Sequence, residues 1–123
     1  MVVRKWGKFF CYQGIGMLCL LSLMVSGMAF AADKGNPERG KDLFRESCQH
    51  CHGFLGKGDG EMANYLEPRP SNLASQDTQE KSDKELKDVI LKGRTGTAMA
   101  GFEGALDQSQ VNDLMAYLRS LQP

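Results

Sequence analysis

The run Cys48-Gln49-His50-Cys51-His52 combines two thiols at a C-x-x-C spacing with an imidazole directly after the second thiol. Thiols at this spacing can add to the two vinyl groups of one heme, and the histidine that follows can bind the iron. A bare C-x-x-C pair would be less specific, because it also occurs in thioredoxin-like redox sites and in zinc sites. A zinc site lacks partners, because the remaining cysteines are Cys11 and Cys19 and the histidines are His50 and His52. The motif predicts one covalently attached heme c, bound through Cys48, Cys51 and His52.

The start of the chain has the pattern of a secretory signal. Basic residues before position 9 precede an apolar run over about 15–30, and small residues follow in Ala29-Phe30-Ala31-Ala32. We therefore expect residues 1–31 to be a signal peptide that is removed after Ala31. The alternative is an uncleaved anchor over 9–32, which is just long enough to span a bilayer. In both cases the heme motif lies outside the cytoplasm, and we expect a periplasmic protein with no membrane span after cleavage.

Charge and length limit what the remaining chain can be. The full sequence has 15 basic and 15 acidic residues, and removing 1–31 leaves 12 basic and 15 acidic residues, a net charge of −3. No basic patch of the kind that binds nucleic acid is present. We interpret residues 32–123 as one domain. A domain of this size is small for a self-sufficient core, and a buried heme would supply much of the missing apolar contact.

Three helix starts are visible in residues 32–123. Asn36-Pro37 has the pattern of an N-cap followed by proline at the first helical position. Ser82 with Glu85, and Asp107 with Gln110, have the spacing of a capping box. We expect Leu43 and Phe44 to be the buried residues of the first helix. Apolar residues at helical spacing follow the other two starts: Leu86, Val89 and Ile90; Val111, Leu114, Met115, Leu118 and Leu121. Gly93 can end the second of these helices.

The segment 53–81 is rich in Gly, Pro, Asn and Ser, and we expect a long irregular loop there. Such a loop is unusual in a compact domain unless it has a function. Wrapping around a heme is a function of this kind.

The chain resembles the small class I, single-heme cytochromes c of bacterial electron transport. The resemblance covers Asn36 to Gln122 and rests on these pieces: Gly40, Phe44, Cys48 to Gly53, the loop Gly56 to Gly60, Pro68 to Leu73, Met99, Phe102 and Leu114 to Leu118. It implies an all-α cytochrome c fold, in which the N- and C-terminal helices cross and loops wrap around the heme. It also implies that the crossing lies near Gly40 and that Tyr117 packs against the first helix.

The sixth ligand must come from elsewhere in the chain. His50 is two residues from His52 and cannot reach the opposite heme face, so we expect it to face solvent. Methionine commonly pairs with histidine in electron-transfer cytochromes c. After residue 31 the chain has Met62, Met99 and Met115. Met115 lies on the apolar stripe of the last helix, and Met62 follows the motif closely. Met99 lies in an irregular, glycine-flanked segment, and the resemblance places the axial methionine there.

Two positions depart from the family pattern. Ala100 follows Met99 where the family usually has proline, and Glu61 stands at a position that is often proline. The resemblance implies that the backbone carbonyl at position 61 accepts a hydrogen bond from the proximal imidazole, and a carbonyl survives any substitution. Both departures remove stiffness from the site without removing a ligand.

These features predict an electron carrier and not an enzyme. An iron with two permanent axial ligands needs no nucleophile, proton donor or open coordination position. We expect a monomer that meets its redox donor and acceptor transiently through a small interface. One alternative is a cytochrome c subunit held permanently by a dehydrogenase or terminal oxidase. Another is a heme with an open iron, which would require Met99 not to bind it.

Overall fold

The computed structural model describes residues 34–121, and every regular element in that range is helical. The elements are α1 (Pro37–Ser47), α2 (Gln49–His52), a 3₁₀ turn (Ala63–Tyr65), α3 (Gln76–Gln79), α4 (Asp83–Lys92) and α5 (Gln108–Ser120). The predicted all-α class is therefore confirmed. The predicted signal peptide, residues 1–31, lies outside the described residues. Among the helices of 34–121, none combines the length and the apolar character that a membrane span requires.

The three predicted helix starts are confirmed. At α1 the Asn36 side chain accepts a hydrogen bond from the Arg39 backbone N–H at 3.0 Å. At α4 Ser82 and Glu85 form the predicted capping box, and Gly93 ends the helix. Asp107 and its partner at the third helical position form the corresponding box at α5. Each cap satisfies backbone N–H groups that have no partner inside the helix, which sets where the helix begins.

Helices α1 and α5 cross with their backbones in close contact at Gly40. A Cβ on Gly40 would lie 2.0 Å from the Asp113 carbonyl oxygen and 2.9 Å from the Tyr117 Cβ, so only glycine fits. One turn further along α1, the rings of Phe44 and Tyr117 pack with centroids 5.3 Å apart and planes tilted by 54°. This geometry confirms the expected crossing and places Cys48, at the end of α1, beside the core.

A buried charge ties the start of α1 to the middle of α5. The Asp113 side chain accepts hydrogen bonds from Arg39 Nε at 2.6 Å and Nη2 at 2.9 Å. It also accepts one from the Asn36 backbone N–H at 2.6 Å. Asp113 is only 3 % exposed, so these three donors replace the water that a carboxylate would otherwise bind.

The loop that precedes α4 is more ordered than the sequence predicts. The segment 53–81 was expected to be irregular, yet it contains the 3₁₀ turn and α3. The Gln79 side chain donates to the backbone carbonyls of Leu73 at 2.7 Å and Leu118 at 3.0 Å. Arg119 donates to the carbonyls of Gln79 at 2.7 Å and Lys81 at 2.6 Å. Contacts between this loop and α5, made by Gln79 and Arg119, therefore hold the loop in place, and no local pattern in 53–81 could show them.

Candidate heme site

A cavity of about 340 Å³ lies between α1, α4, α5 and two connecting segments, the one between α2 and α4 and the one between α4 and α5. This volume is in the range of pockets that hold small cofactors. Much of its wall is apolar, with contributions from Phe44, Leu66, Leu86, Ile90, Phe102, Leu114 and Leu118. Cys48, Cys51, His52 and Met99 also line it. The fold therefore brings all four residues that the sequence singled out to one cavity.

The two thiols lie at the junction of α1 and α2. Cys48 separates the two helices, and Cys51 lies nearly one turn later, so both side chains can reach the same side. Both cysteines are unpaired and partly buried. Burial, and secondarily the neighbouring Cys51, raises the pKa of Cys48 to about 11, so this thiol is protonated at neutral pH. Thioether formation would add the sulfur and the hydrogen of each thiol across one vinyl double bond, so it would consume no oxidant.

The His52 imidazole is held by the carbonyl of Ser71. His52 Nδ1 lies 3.0 Å from the Ser71 carbonyl oxygen. A carbonyl can only accept, so Nδ1 carries the proton and the Nε2 lone pair is left for a metal. Burial lowers the pKa of His52, and the hydrogen bond to Ser71 opposes this shift less strongly. The imidazole is therefore favoured in the neutral form that binds metals.

The expected support from the backbone carbonyl of Glu61 is wrong. Hydrogen bonds from Gly60 N–H to the Cys51 carbonyl and from Met62 N–H to the His50 carbonyl hold this turn against the start of α2. The Glu61 carboxylate instead pairs with His50 Nδ1. The His50 side chain is 67 % exposed, which confirms that it faces solvent. The turn at 60–62 thus lies beside His50, and Ser71 reaches His52 from the loop that follows Pro70.

The three methionines of the described range have different surroundings. Met62 is exposed, and Met115 is buried in the core beside Leu114 and Leu118. Met99 is partly buried and lines the same cavity as His52. Met99 is thus the methionine that the fold places in the candidate site, as the sequence predicted, and its role as an iron ligand stays a prediction.

The Met99 segment, residues 94–103, is held in place by hydrogen bonds, although Ala100 and not proline follows Met99. Gly93, with φ of 73°, turns the chain out of α4, and a Cβ there would lie 2.5 Å from the Met99 carbonyl oxygen. The Arg94 N–H donates to that carbonyl at 3.0 Å. The Met99 N–H donates to Thr97 Oγ1 at 3.1 Å. Beyond Met99, the Phe102 N–H returns to the Ile90 carbonyl at 3.0 Å. These contacts supply stiffness that a proline after Met99 would otherwise provide.

Sequence reasoning missed Ser71 and Arg94. Ser71 supplies the carbonyl that orients His52, and its Oγ accepts a hydrogen bond from Arg94 Nη1 at 3.1 Å. Arg94 also lines the cavity, as do Arg69 and Lys81. Ser71 lies within the matching piece Pro68 to Leu73, but nothing in the sequence gave it or Arg94 a role, because a polar residue in a loop usually faces solvent.

The donor set fits a heme c. The largely apolar wall suits the porphyrin ring, and the cations at Arg69, Lys81 and Arg94 suit its carboxylates. Cys48 and Cys51 could form the thioether bonds, and a neutral His52 could bind the iron. Within residues 34–121, no group of three or more His, Cys, Asp or Glu side chains is arranged to hold a metal ion directly.

This combination of fold and site defines an all-α protein that carries a covalently attached heme c. Residues 37–122 match the profile of the family described as Cytochrome c. The chain therefore belongs to the cytochrome c family, and the resemblance found in its sequence is confirmed.

Several relatives are similar to the chain. Cytochrome c55X of Paracoccus denitrificans is 31% identical over 103 residues, covering 82% of this chain and 91% of that protein. Dihydro-heme d1 dehydrogenase of Pseudomonas aeruginosa is 34% identical over 103 residues, covering 84% of this chain but only 18% of the dehydrogenase. The FixP subunit of a cbb3-type cytochrome c oxidase from Bradyrhizobium diazoefficiens is 36% identical over 84 residues, 68% of this chain and 27% of that protein.

A solved structure shows the same fold. It is a chain of the reducing HAO-like protein complex of Kuenenia stuttgartiensis, with a TM-score of 0.64 and 24% sequence identity. The match covers 72% of this chain and 44% of that chain. This chain thus spans less than half the length of that structure, and a still smaller share of the dehydrogenase and the oxidase subunit.

Proposed function

We propose that the protein is a single-electron carrier with histidine and methionine as the axial ligands of its heme iron. The heme, when bound, supplies an iron that changes between the ferrous and ferric states. His52 would bind the iron through Nε2, and Met99 would bind it through its thioether sulfur. The observation that supports this proposal best is that the Cys48, Cys51, His52 and Met99 side chains line one cavity.

The chain's own residues would favour rapid electron exchange because the positions of His52 and Met99 would change little when the iron gains or loses an electron. The Ser71 carbonyl keeps His52 in one tautomer and orientation, and the hydrogen bonds of 93–102 hold Met99. The apolar wall excludes water from the ring, which helps to set the reduction potential. None of these roles requires a catalytic acid, base or nucleophile, and we propose no enzyme activity for this chain on its own.

The proposed setting is the periplasm. The signal pattern of residues 1–31 would export the chain and then be removed after Ala31. The remaining domain, 32–123, would act as a monomer that meets its electron donor and acceptor transiently.

A second function is favoured by the relatives. Their names describe a dehydrogenase and a subunit of a cytochrome oxidase, and this chain matches only a part of each. The chain could therefore be a heme subunit held permanently by such an enzyme. Cytochrome c55X, 91% of whose length is covered, shows that a relative of nearly this length exists as a chain of its own, which is compatible with the free carrier.

The ligand assignment is tested by replacing each methionine separately in the heme-loaded protein. Met99→Ala should lose the weak red absorption band of methionine bound to ferric iron, and its reduction potential should fall because the soft thioether favours ferrous iron. Its ferrous iron should also bind carbon monoxide. Met62→Leu, at an exposed site, and Met115→Leu, in the core, are the controls and should keep the band. A Met99→Ala protein with an unchanged band and potential would contradict the proposal.

A further inference from the structure

Ser71 and Arg94 connect the two segments that carry the candidate axial ligands. His52 Nδ1–H donates to the Ser71 carbonyl at 3.0 Å. Arg94 Nη1 donates to Ser71 Oγ at 3.1 Å, and the Arg94 backbone N–H donates to the Met99 carbonyl at 3.0 Å. These contacts form one path from His52 to Met99 that leaves the ligand atoms, Nε2 and sulfur, unused.

We propose that Ser71 and Arg94 are positioning residues. They would hold the Met99 segment against the heme by tying it to the loop that contains Ser71, on the His52 side of the site. This inference rests on the proposed ligation by Met99. Ser71 takes part through two different atoms, since its carbonyl orients His52 while its hydroxyl receives Arg94. A displacement of the Met99 segment is therefore opposed by a contact to the residue that orients His52.

The Ser71 side chain matters because it accepts the hydrogen bond that joins the Met99 segment to the loop that contains Ser71. The remaining hydrogen bonds of 94–103 run within the segment, back to α4 or on to residues 105 and 106. Examples are those from Thr97 Oγ1 to the Arg94 carbonyl at 2.8 Å and from the Glu103 N–H to the Leu91 carbonyl at 3.0 Å. The Arg94–Ser71 contact joins residues 23 positions apart across the cavity. Its loss should free the segment without unfolding α4.

The test measures how fast added imidazole displaces the methionine from ferric iron in the heme-loaded protein. Ser71→Ala removes the hydroxyl but keeps the carbonyl that His52 uses, and Arg94→Gln removes the guanidinium. In each variant the methionine should be displaced about fivefold faster than in the parent protein, as expected for the loss of one hydrogen bond. The double variant should be no faster than the faster single variant, because both changes break the same contact. Thr95→Ala, at an exposed neighbouring position, should not change the rate.

The reduction potential and the thermal melting curve distinguish this positioning role from a general effect on stability. Ser71→Ala, which changes no charge, should lower the potential slightly, while the circular dichroism melting curves of both single variants stay close to that of the parent protein. If Arg94→Gln changes the rate and Ser71→Ala does not, Arg94 acts through its charge on the cavity and the inference is overturned. Additive effects in the double variant would also overturn it.

The result for Met99→Ala distinguishes the two proposals. If that variant loses the red band while Ser71→Ala and Arg94→Gln exchange at the parent rate, the ligation stands and only the positioning role is wrong. If Met99→Ala keeps the band, the ligand assignment is wrong and the positioning role is wrong with it.

Discussion

At the scale of single residues, the site depends on which atoms are left free. The Ser71 carbonyl occupies His52 Nδ1, so the other ring nitrogen is the one available to iron. The Cys48 thiol, with its pKa raised to about 11, keeps its proton in the buried junction between α1 and α2. Local surroundings thus leave one nitrogen of the imidazole free for coordination and keep the Cys48 thiol protonated.

We predict that Cys48→Ala and Cys51→Ala each leave the protein mostly without stable heme, and that the double variant loses it entirely. The reason is that the thiols supply the covalent bonds, and a ring held by the iron ligands alone is lost on unfolding. Heme staining of denaturing gels measures this directly. Ser47→Ala, next to Cys48 but exposed, is the control and should stain like the parent protein. Heme retained by the double variant after denaturation would disprove covalent attachment through these thiols.

At the scale of elements, the crossing of α1 and α5 has no room for a side chain at Gly40. Alanine is about 1 kcal/mol better than glycine in a helix, which would favour Gly40→Ala. Its Cβ, however, would lie 2.0 Å from the Asp113 carbonyl oxygen, a backbone atom that cannot move alone. Overpacking of this kind typically costs about 1–3 kcal/mol. The steric effect should therefore win.

We predict that Gly40→Ala lowers the free energy of unfolding by about 2 kcal/mol, the steric cost being only partly offset by helix propensity. Guanidinium unfolding of the heme-loaded protein, followed by circular dichroism, measures the change. Glu46→Ala on the exposed face of α1 is the matched control and should change stability by less than about 0.5 kcal/mol. Equal or greater stability of Gly40→Ala would show that the helices can separate at no cost.

The Asp113 contacts at the same crossing predict a dependence on pH. The side chain of Arg39, followed by the Asn36 backbone N–H, holds the pKa of Asp113 below its ordinary value. The folded state therefore favours the carboxylate, and the resulting stability is present above the ordinary aspartate pKa of about 3.9. It is lost as the pH falls below that value and through the lower folded-state pKa.

We predict that Asp113→Asn is less stable than the parent protein at neutral pH and that this difference shrinks as the pH falls below about 4. Denaturant unfolding of both proteins over a pH series measures it. Asp42→Asn is the control, because Asp42 is exposed and lies 4.0 Å from Arg45, so its effect should be small at every pH. A stability difference for Asp113→Asn that does not vary with pH would mean that the carboxylate charge does not contribute.

At the scale of the whole molecule, the question is whether the chain works alone. The family match and the cavity are compatible with both a free carrier and a heme subunit. Because residues 32–123 carry a net charge of −3, a redox partner that associates with them would be expected to present a neutral or basic surface.

We predict that the native protein, extracted from cells under mild conditions, elutes in size-exclusion chromatography at the mass of a single chain. Heme absorbance in the eluted fractions identifies it. Electron exchange with its isolated partner should slow modestly as salt is raised, because salt screens attraction between oppositely charged surfaces. Elution of all the heme absorbance with a larger enzyme, stable to salt, would instead support the permanent subunit.

The sequence by itself determined the features that short stretches encode. The heme motif lies within 48–52, and the caps at Asn36, Ser82 and Asp107 need only residues up to three positions away. The cofactor followed from the motif, and the all-α class of the fold followed from the resemblance to the family together with these helix caps. Met99 was also singled out from its irregular, glycine-flanked segment, with the resemblance to the family.

Only the tertiary structure decided what supports the candidate ligands. The expected partner of His52 was the backbone carbonyl of Glu61, and the actual one is that of Ser71, 19 residues from His52. The Arg94–Ser71 contact spans 23 residues, and the Arg39–Asp113 pair spans 74 residues. Local periodicity carries no information about such contacts, because they exist only after loops and helices have packed and left particular polar atoms to satisfy.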